Sequence, residues 1–297
     1  MKKLTCLGLS IVMALSLLTA CGGETSTAGS ETGSTPTSSA AQSAENNGAT
    51  QEITGTVNTD GSTSMADVMA VLQETFKEVQ PGINVNYTGS GSGSGITNVL
   101  SGTVDIGLSS RALKAEEEEQ GAVGHIVALD GVAVVVNPEN TVADLTVEQI
   151  AKIFSGEITN WSEVGGADAE IAVFGRESGS GTRGAFEEIV GVVDACAYTN
   201  EYSSTGDMVG AVAGNPNAIG YASLSAVDES VIAVKVNNVA PSEATVKDGT
   251  YEIQRPFVMV TKEGTELSEA AQAFLDWAMS ADAADEIEAA GCVSPNA

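Results

Sequence analysis

The sequence predicts an α/β protein of two similar lobes, each a mainly parallel sheet flanked by helices. Strand-like runs, turns of small residues and helix-like runs alternate from residue 52 to the C-terminus, as βαβ units do. Two wholly apolar runs, 132–136 and 256–260, have the composition of strands buried on both faces. With 297 residues, 42% of them apolar, and 33 glycines, one large or two modest cores can be filled; a collagenous or wholly disordered chain is excluded.

The elements follow in order. Lys2 and Lys3 precede an apolar stretch, 7–18, too short to stay in a bilayer as a spanning helix, so residues 1–20 read as an export signal. Leu18-Thr19-Ala20-Cys21, followed by Gly22, resembles the lipobox of bacterial lipoproteins, which implies acylation of Cys21 and a lipid anchor on the outer face of a cell membrane. Residues 22–51 hold no basic and no large apolar side chain, so 21–51 is expected to be a lipidated cysteine and a disordered tether of roughly 30 Å reach.

A β-prone run at 53–57 leads into Asp60-Gly61-Ser62-Thr63, and Met65, Val68, Met69, Leu72, Phe76 and Val79 then recur at helical spacing until Pro81-Gly82. Ile83, Val85 and Tyr87 alternate as a strand before Gly89-Ser90-Gly91-Ser92-Gly93-Ser94-Gly95 and a helix at 96–100. Val104, Ile106 and Leu108 form a strand ending at Ser109-Ser110-Arg111, and the apolar run 132–136 closes the first half. The second half follows the same alternation, with a helix near 147–154, a strand at 171–174, and a turn at 175–183 opening a helix with Phe186 and Ile189. After the apolar run 256–260, Leu267, Ala271, Phe274, Leu275 and Ala278 share one helix face. The expected partition is 52–135 plus 257–297 for one lobe and 136–256 for the other, with a cleft where strand ends and helix starts converge.

Twelve Lys plus Arg stand against 40 Asp plus Glu, a formal charge of −28, which repels nucleic acid and anionic lipid. A small anion is not excluded, since the Debye length at physiological salt is only about 8 Å. Four turns share one composition: Gly61-Ser62-Thr63-Ser64, 89–95, Ser109-Ser110-Arg111, and 176–182. Bare backbone N–H groups at helix starts, Ser and Thr hydroxyls, and the nearby Arg111 and Arg176 suit an oxyanion. Arg183, inside a helix, is read instead as a salt bridge with Glu187.

Other chemistries have little support. No G-x-S-x-G elbow and no Gly-Lys-Ser/Thr occur, and the only histidine, His125, reads as a strand-end residue. Residues 179–184 fit G-x-G-x-x-G, which keeps a dinucleotide-binding enzyme as an alternative, but no acidic residue ends a clear strand about 20 positions on. Cys196 and Cys292 could form a disulfide or remain two thiols, and their spacing does not resemble a metal site. No cofactor or metal is expected.

At these turns the chain resembles the substrate-binding lipoproteins of bacterial ABC-type phosphate uptake systems. The likeness extends through Thr103-Val104-Asp105-Ile106-Gly107, residues 153–161, Ala218-Ile219-Gly220-Tyr221, and Asp248-Gly249-Thr250-Tyr251 before Arg255-Pro256. It implies a non-catalytic, monomeric receptor with the type II periplasmic-binding-protein fold, two lobes closing on one dehydrated phosphate, and delivery to a membrane permease driven by a cytoplasmic ATPase. By position it implies phosphate contacts from Thr63, Ser64, Ser92, Arg176, Ser180, Gly181 and Thr182; from the turns themselves, Ser62 and Arg111 are further candidates. Ser110 stands where family members often carry an Asp that accepts the proton of hydrogen phosphate. A hydroxyl can also accept, and Asp60 or Glu177 are alternative acceptors; sulfate and molybdate remain alternative ligands.

Overall fold

The computed structural model describes residues 52–296; the export signal, Cys21 and the tether lie outside them. The order of elements is β1 (Gly55–Gly61), α1 (Ala66–Val79), β2 (Ile83–Gly89), α2 (Ser92–Leu100), β3 (Ile106–Ser109), α3 (Ala115–Glu119), β4 (Ala122–Val136), β5 (Asp144–Leu145), α4 (Val147–Phe154), β6 (Ala172–Arg176), α5 (Gly181–Val190), β7 (Asn200–Tyr202), α6 (Thr205–Ala213), β8 (Ala218–Ser223), β9 (Ile232–Ala233), β10 (Lys235–Val236), α7 (Glu243–Lys247), β11 (Gln254–Lys262), α8 (Glu269–Ala278) and α9 (Ala284–Ala289).

Local chemistry sets the helix ends. Ser180, Ser204 and Ser268 each cap the helix that follows, accepting the N–H three residues on, and Thr146 and Gln149 close a reciprocal capping box on α4. Val68, Met69, Leu72 and Phe76 line the buried face of α1, the 3.6-residue stripe read from sequence.

The main sheet has the strand path β2-β1-β3-β11-β4-β8-β6-β7, with β9 added beside β4. Parallel pairing holds on the flanks, β1 with β2 and β3 and β6 with β7 and β8. The middle is antiparallel, β11 with β3 and β4, and β4 with β8 and β9. The βαβ logic governs the flanks because a crossover helix joins each strand there to the next, α1 and α2 between β1, β2 and β3 and α5 and α6 between β6, β7 and β8; β4 and β11 instead carry the chain across the sheet.

β4 spans 15 residues, far beyond the apolar run that announced it. Its first part, 122–131, pairs with β11, and 132–136 pairs with β8 and β9. His125 therefore lies inside a strand rather than at its end, with Nε2 2.9 Å from Thr261 Oγ1 on β11.

The side chains divide among distinct cores. One gathers Val57, Met69, Phe76, Ala128, Phe257, Phe274 and Cys292, with the Phe76 and Phe274 rings 5.2 Å apart edge to face. Another gathers Val132, Val134, Phe154, Phe186, Tyr221 and Ile253, with Phe186 stacked on Tyr221 at 4.2 Å. Cys292 belongs to the first and Cys196 packs against the second; the pairing left open by the sequence does not form, and both are free thiols. Among the described residues, no helix is long and apolar enough to cross a membrane.

Candidate functional site

The C-terminal ends of β1, β2, β3 and β6 meet the starts of α2, α5 and α6 and of the 3-10 turn Thr63–Met65 that leads into α1. Gly61 makes the first approach possible: its φ of +143° is closed to most side chains, and a Cβ there would fall on the Leu108 carbonyl oxygen. Ser62 Oγ accepts from Ser64 N at 3.2 Å, which turns the Thr63 and Ser64 hydroxyls into the convergence.

Four hydroxyls and one guanidinium form a connected set. Ser64 Oγ lies 2.5 Å from Thr182 Oγ1 and 3.1 Å from Thr205 Oγ1, and Thr63 Oγ1 lies 3.2 Å from Thr205 Oγ1. Arg176, only 2% exposed, donates through Nη1 to Thr205 Oγ1 at 2.8 Å and through Nη2 to Thr63 Oγ1 at 2.9 Å. Its remaining bonds run from Nε to the Tyr202 carbonyl and from Nη2 to the Ser203 carbonyl, at 3.0 and 2.7 Å. Every one of these acceptors is neutral. Burial, with the Arg255 charge acting the same way, pulls the Arg176 guanidinium down from 12.5 to about 10, against the more distant pull of Glu177 and Asp207, neither of which hydrogen-bonds to it. Tyr221 fixes the strand end behind it, its hydroxyl accepting from Arg176 N at 3.0 Å.

A second set adjoins the first. Ser110 N donates to Ser92 Oγ at 3.1 Å, and the two hydroxyls are 3.3 Å apart. Gly181 opens α5 against them: a Cβ at 181 would fall on Ser92 Oγ and lie 2.8 Å from Ser110 Oγ. Gly93 N donates to the Gly179 carbonyl at 3.1 Å, so the starts of α2 and α5 touch through bare backbone. Gly179 and Gly181 are thus occupied in packing against α2 and the Ser92/Ser110 pair, and Gly184 lies against the Arg111 side chain. Ser180 caps α5, with Oγ accepting from Arg183 N at 3.3 Å.

Two arginines face elsewhere. Arg111 forms a two-pronged bond to Glu117, at 2.8 and 2.7 Å, outside the hydroxyl set. Burial opposes charge on Glu117, but the bonds from Arg111 and from the Lys114 backbone hold its carboxyl below the ordinary value. Arg183 bonds Glu187 at 2.8 Å, as read from the sequence, and also Glu201 at 2.6 Å. Among the described residues no carboxylate hydrogen-bonds to Thr63, Ser64, Ser92, Ser110, Thr182 or Thr205. Asp60 Oδ2 accepts from Asn98 on α2 at 2.5 Å, while its buried Oδ1 has no hydrogen-bond partner, and Glu177 is exposed.

Three participants were missed in the sequence. Thr205 starts α6 in Ser203-Ser204-Thr205-Gly206, a turn of the same composition as the other four. Asp130 and Arg255 form an ion pair at 3.0 Å with side chains 0% and 1% exposed, and Arg255 Nη1 reaches Thr182 Oγ1 at 2.8 Å. Burial pushes the Asp130 carboxyl up, against the pull of Arg255 and of the Ser223 hydroxyl. No local pattern could have paired positions 125 residues apart.

The comparisons with known proteins agree with this architecture. The family model described as "PBP superfamily domain" matches residues 27–282. The phosphate-binding protein PstS of Bacillus subtilis is 35% identical over 240 residues, 78% of this chain and 78% of that protein. Among solved structures, a substrate-binding protein from Clostridium perfringens with bound phosphate, assigned to phosphate ABC transport, superposes with a TM-score of 0.78 at 40% identity, covering 81% of this chain and 99% of that one. An ABC-type phosphate transport receptor from Vibrio cholerae gives a TM-score of 0.68 at 34% identity, covering 81% of this chain and all of the other, 100%. A match of this length and identity, on a fold whose strand ends converge on hydroxyls and a buried arginine, places the chain in the PBP superfamily and, within it, in the family of PstS phosphate-binding proteins.

Proposed function

We propose that the protein captures inorganic phosphate outside the cytoplasm and hands it to an ABC-type permease for import, without catalysing a reaction. Arg176 carries this reading: a buried guanidinium whose four protein acceptors are all neutral, set among helix starts and hydroxyls, suits an anion that brings its own charge. The ligand contacts are Thr63 and Ser64, Ser92 and Ser110, Arg176, and Ser180, Gly181 and Thr182 at the start of α5. Backbone N–H groups at the helix starts add their dipoles. Arg111, committed to Glu117, stands outside this set, and Thr205 joins it.

Residues 52–135 plus 257–297 form one lobe and 136–256 the other, joined by β4 and β11. The separation of the cores on either side of these strands supports it. Closure of the lobes removes water around the anion and strengthens each charge-assisted hydrogen bond; the closed form is the one that docks on the permease. Cys21 anchors the chain to the outer face of the membrane, and the tether lets one monomeric receptor search the space above it.

A second ligand is favoured by one observation. Among the described residues no carboxylate hydrogen-bonds to the hydroxyl set to accept the proton of hydrogen phosphate, so sulfate, which has no such proton at neutral pH, is the second candidate, with the unpartnered Oδ1 of Asp60 the nearest acceptor in sequence to the first turn. Calorimetric titration with phosphate, sulfate, arsenate and molybdate decides between them. Absence of phosphate binding even at millimolar concentration contradicts the proposal.

A further inference from the structure

Asp130 and Arg255 face one another in the β4–β11 register, where both strands pass from one core to the next. Ala128 and Phe257 pack in the first core, Val132 and Ile253 in the second. An ion pair so deeply buried costs desolvation that two apolar side chains would avoid, so its other bonds matter. Arg255 directs Nε and Nη2 to Asp130 Oδ2 at 3.1 and 3.0 Å, and Nη1 to the Ser110 carbonyl and to Thr182 Oγ1, both at 2.8 Å. Asp130 Oδ1 accepts from Ser223 Oγ at 2.7 Å. One pair thereby holds the end of β3, the end of β8 and the first turn of α5.

The direction of these bonds has a chemical consequence. A guanidinium only donates. Thr182 Oγ1 receives an N–H from Arg255, so its own proton is left for another acceptor, and its other partner is Ser64 Oγ of the hydroxyl set. We propose that Arg255 is a positioning residue for the bound oxyanion: acting through Thr182, it fixes that hydroxyl as a donor towards the ligand and ties it to the strand crossing. Seating the anion and setting the β4–β11 crossing are then one event. Arg255 does this by direction rather than by net charge, because Asp130 neutralises it. The proposal rests on the oxyanion reading above.

The test removes the pair together, Arg255→Met with Asp130→Leu, which leaves the local net charge unchanged. Titration of the full chain with inorganic phosphate should show binding weakened about tenfold, the worth of one oriented hydrogen bond. Thr182→Val alone should lose about as much, and the three changes together no more than Thr182→Val alone, since position 255 acts through 182. Losses that multiply, or a paired variant that binds like the wild type, overturn the proposal. Arg255→Lys is the second variant, with thermal unfolding recorded beside it. Its ammonium keeps a charge by Asp130 but cannot fork to Asp130 and Thr182 at once, so the same loss is expected, and wild-type affinity overturns the idea. A wild-type chain that binds no phosphate instead removes the parent reading, and the proposal falls with it.

Discussion

Replacing Arg176 by Met tests the site at its one unneutralised buried cation. The change keeps an unbranched side chain in place and removes the charge and every donor. Of the five guanidinium N–H bonds, those on Nε and Nη2 and one of the two on Nη1 serve Tyr202, Thr63, Ser203 and Thr205. A single N–H on Nη1 is left to meet a ligand directly. One charge-assisted hydrogen bond contributes about 1.5–3 kcal/mol, and removing one partner of a buried charge pair costs about 3–5 kcal/mol in all. Burial and the nearby Arg255 charge together take the guanidinium from 12.5 to about 10, roughly 3 kcal/mol against its charged form in the ligand-free protein, and an oxyanion relieves part of it. Phosphate affinity should therefore fall by about 3 kcal/mol or more, roughly a hundredfold. Stability of the ligand-free protein should change little, because the desolvation relieved is offset by the Tyr202 and Ser203 carbonyls that lose their donor. Calorimetry gives the first quantity and thermal unfolding without phosphate the second. Affinity within about threefold of the wild type, a change of under 1 kcal/mol, would refute the placement of the anion against Arg176.

Three further outcomes are expected. Gly181→Ala forces a methyl group onto Ser92 Oγ, costing about 1–3 kcal/mol of overpacking; its melting temperature and phosphate affinity should both fall, and Ser92→Gly in the same chain should recover part of the stability, which unchanged melting would contradict. The Arg111–Glu117 pair holds the Glu117 carboxyl below its ordinary 4.5, so its contribution is present above that value and is lost as pH falls through the lower folded one. Thermal unfolding followed from about pH 6 to about pH 3 should therefore lose stability less steeply in Glu117→Gln than in the wild type, and identical slopes would remove the pair from the acid response. Burial pushes the Cys196 thiol up to about 11 and the Cys292 thiol higher still. Peptide mapping after alkylation near pH 8, where an ordinary thiol is already partly ionised, should find both unlabelled in the native protein and labelled after unfolding without a reductant; label only after reduction would mean a disulfide.

The parts of this fold that sequence foretold are those whose cause is local. Pro81 stops α1, the stripe of Val68, Met69, Leu72 and Phe76 buries its face, and Gly/Ser turns mark the starts of α2 and α5, because caps and bare backbone act within a few residues. Thr205 escaped notice although its turn has the same composition, since the strand before it, β7, is three residues long and shows no alternation. The length of β4 was hidden by Gly124, His125 and Gly131, which interrupt an apolar pattern without ending the strand, as β11 supplies the pairing there. Asp130 and Arg255 were beyond reach for a different reason: their meeting is a property of strand register, and in isolation each reads as an ordinary surface charge. Arg111 shows what turn composition leaves out, since Glu117 six residues on takes its guanidinium.

Titration of the wild-type chain with inorganic phosphate, and separately with sulfate, bears most directly on the central claim that a buried guanidinium and a ring of hydroxyls form an oxyanion site. Saturable binding of one phosphate per chain is expected, abolished or weakened roughly a hundredfold by Arg176→Met. No heat of binding with millimolar phosphate, in a chain whose thermal unfolding is also unmoved by the anion, would contradict it.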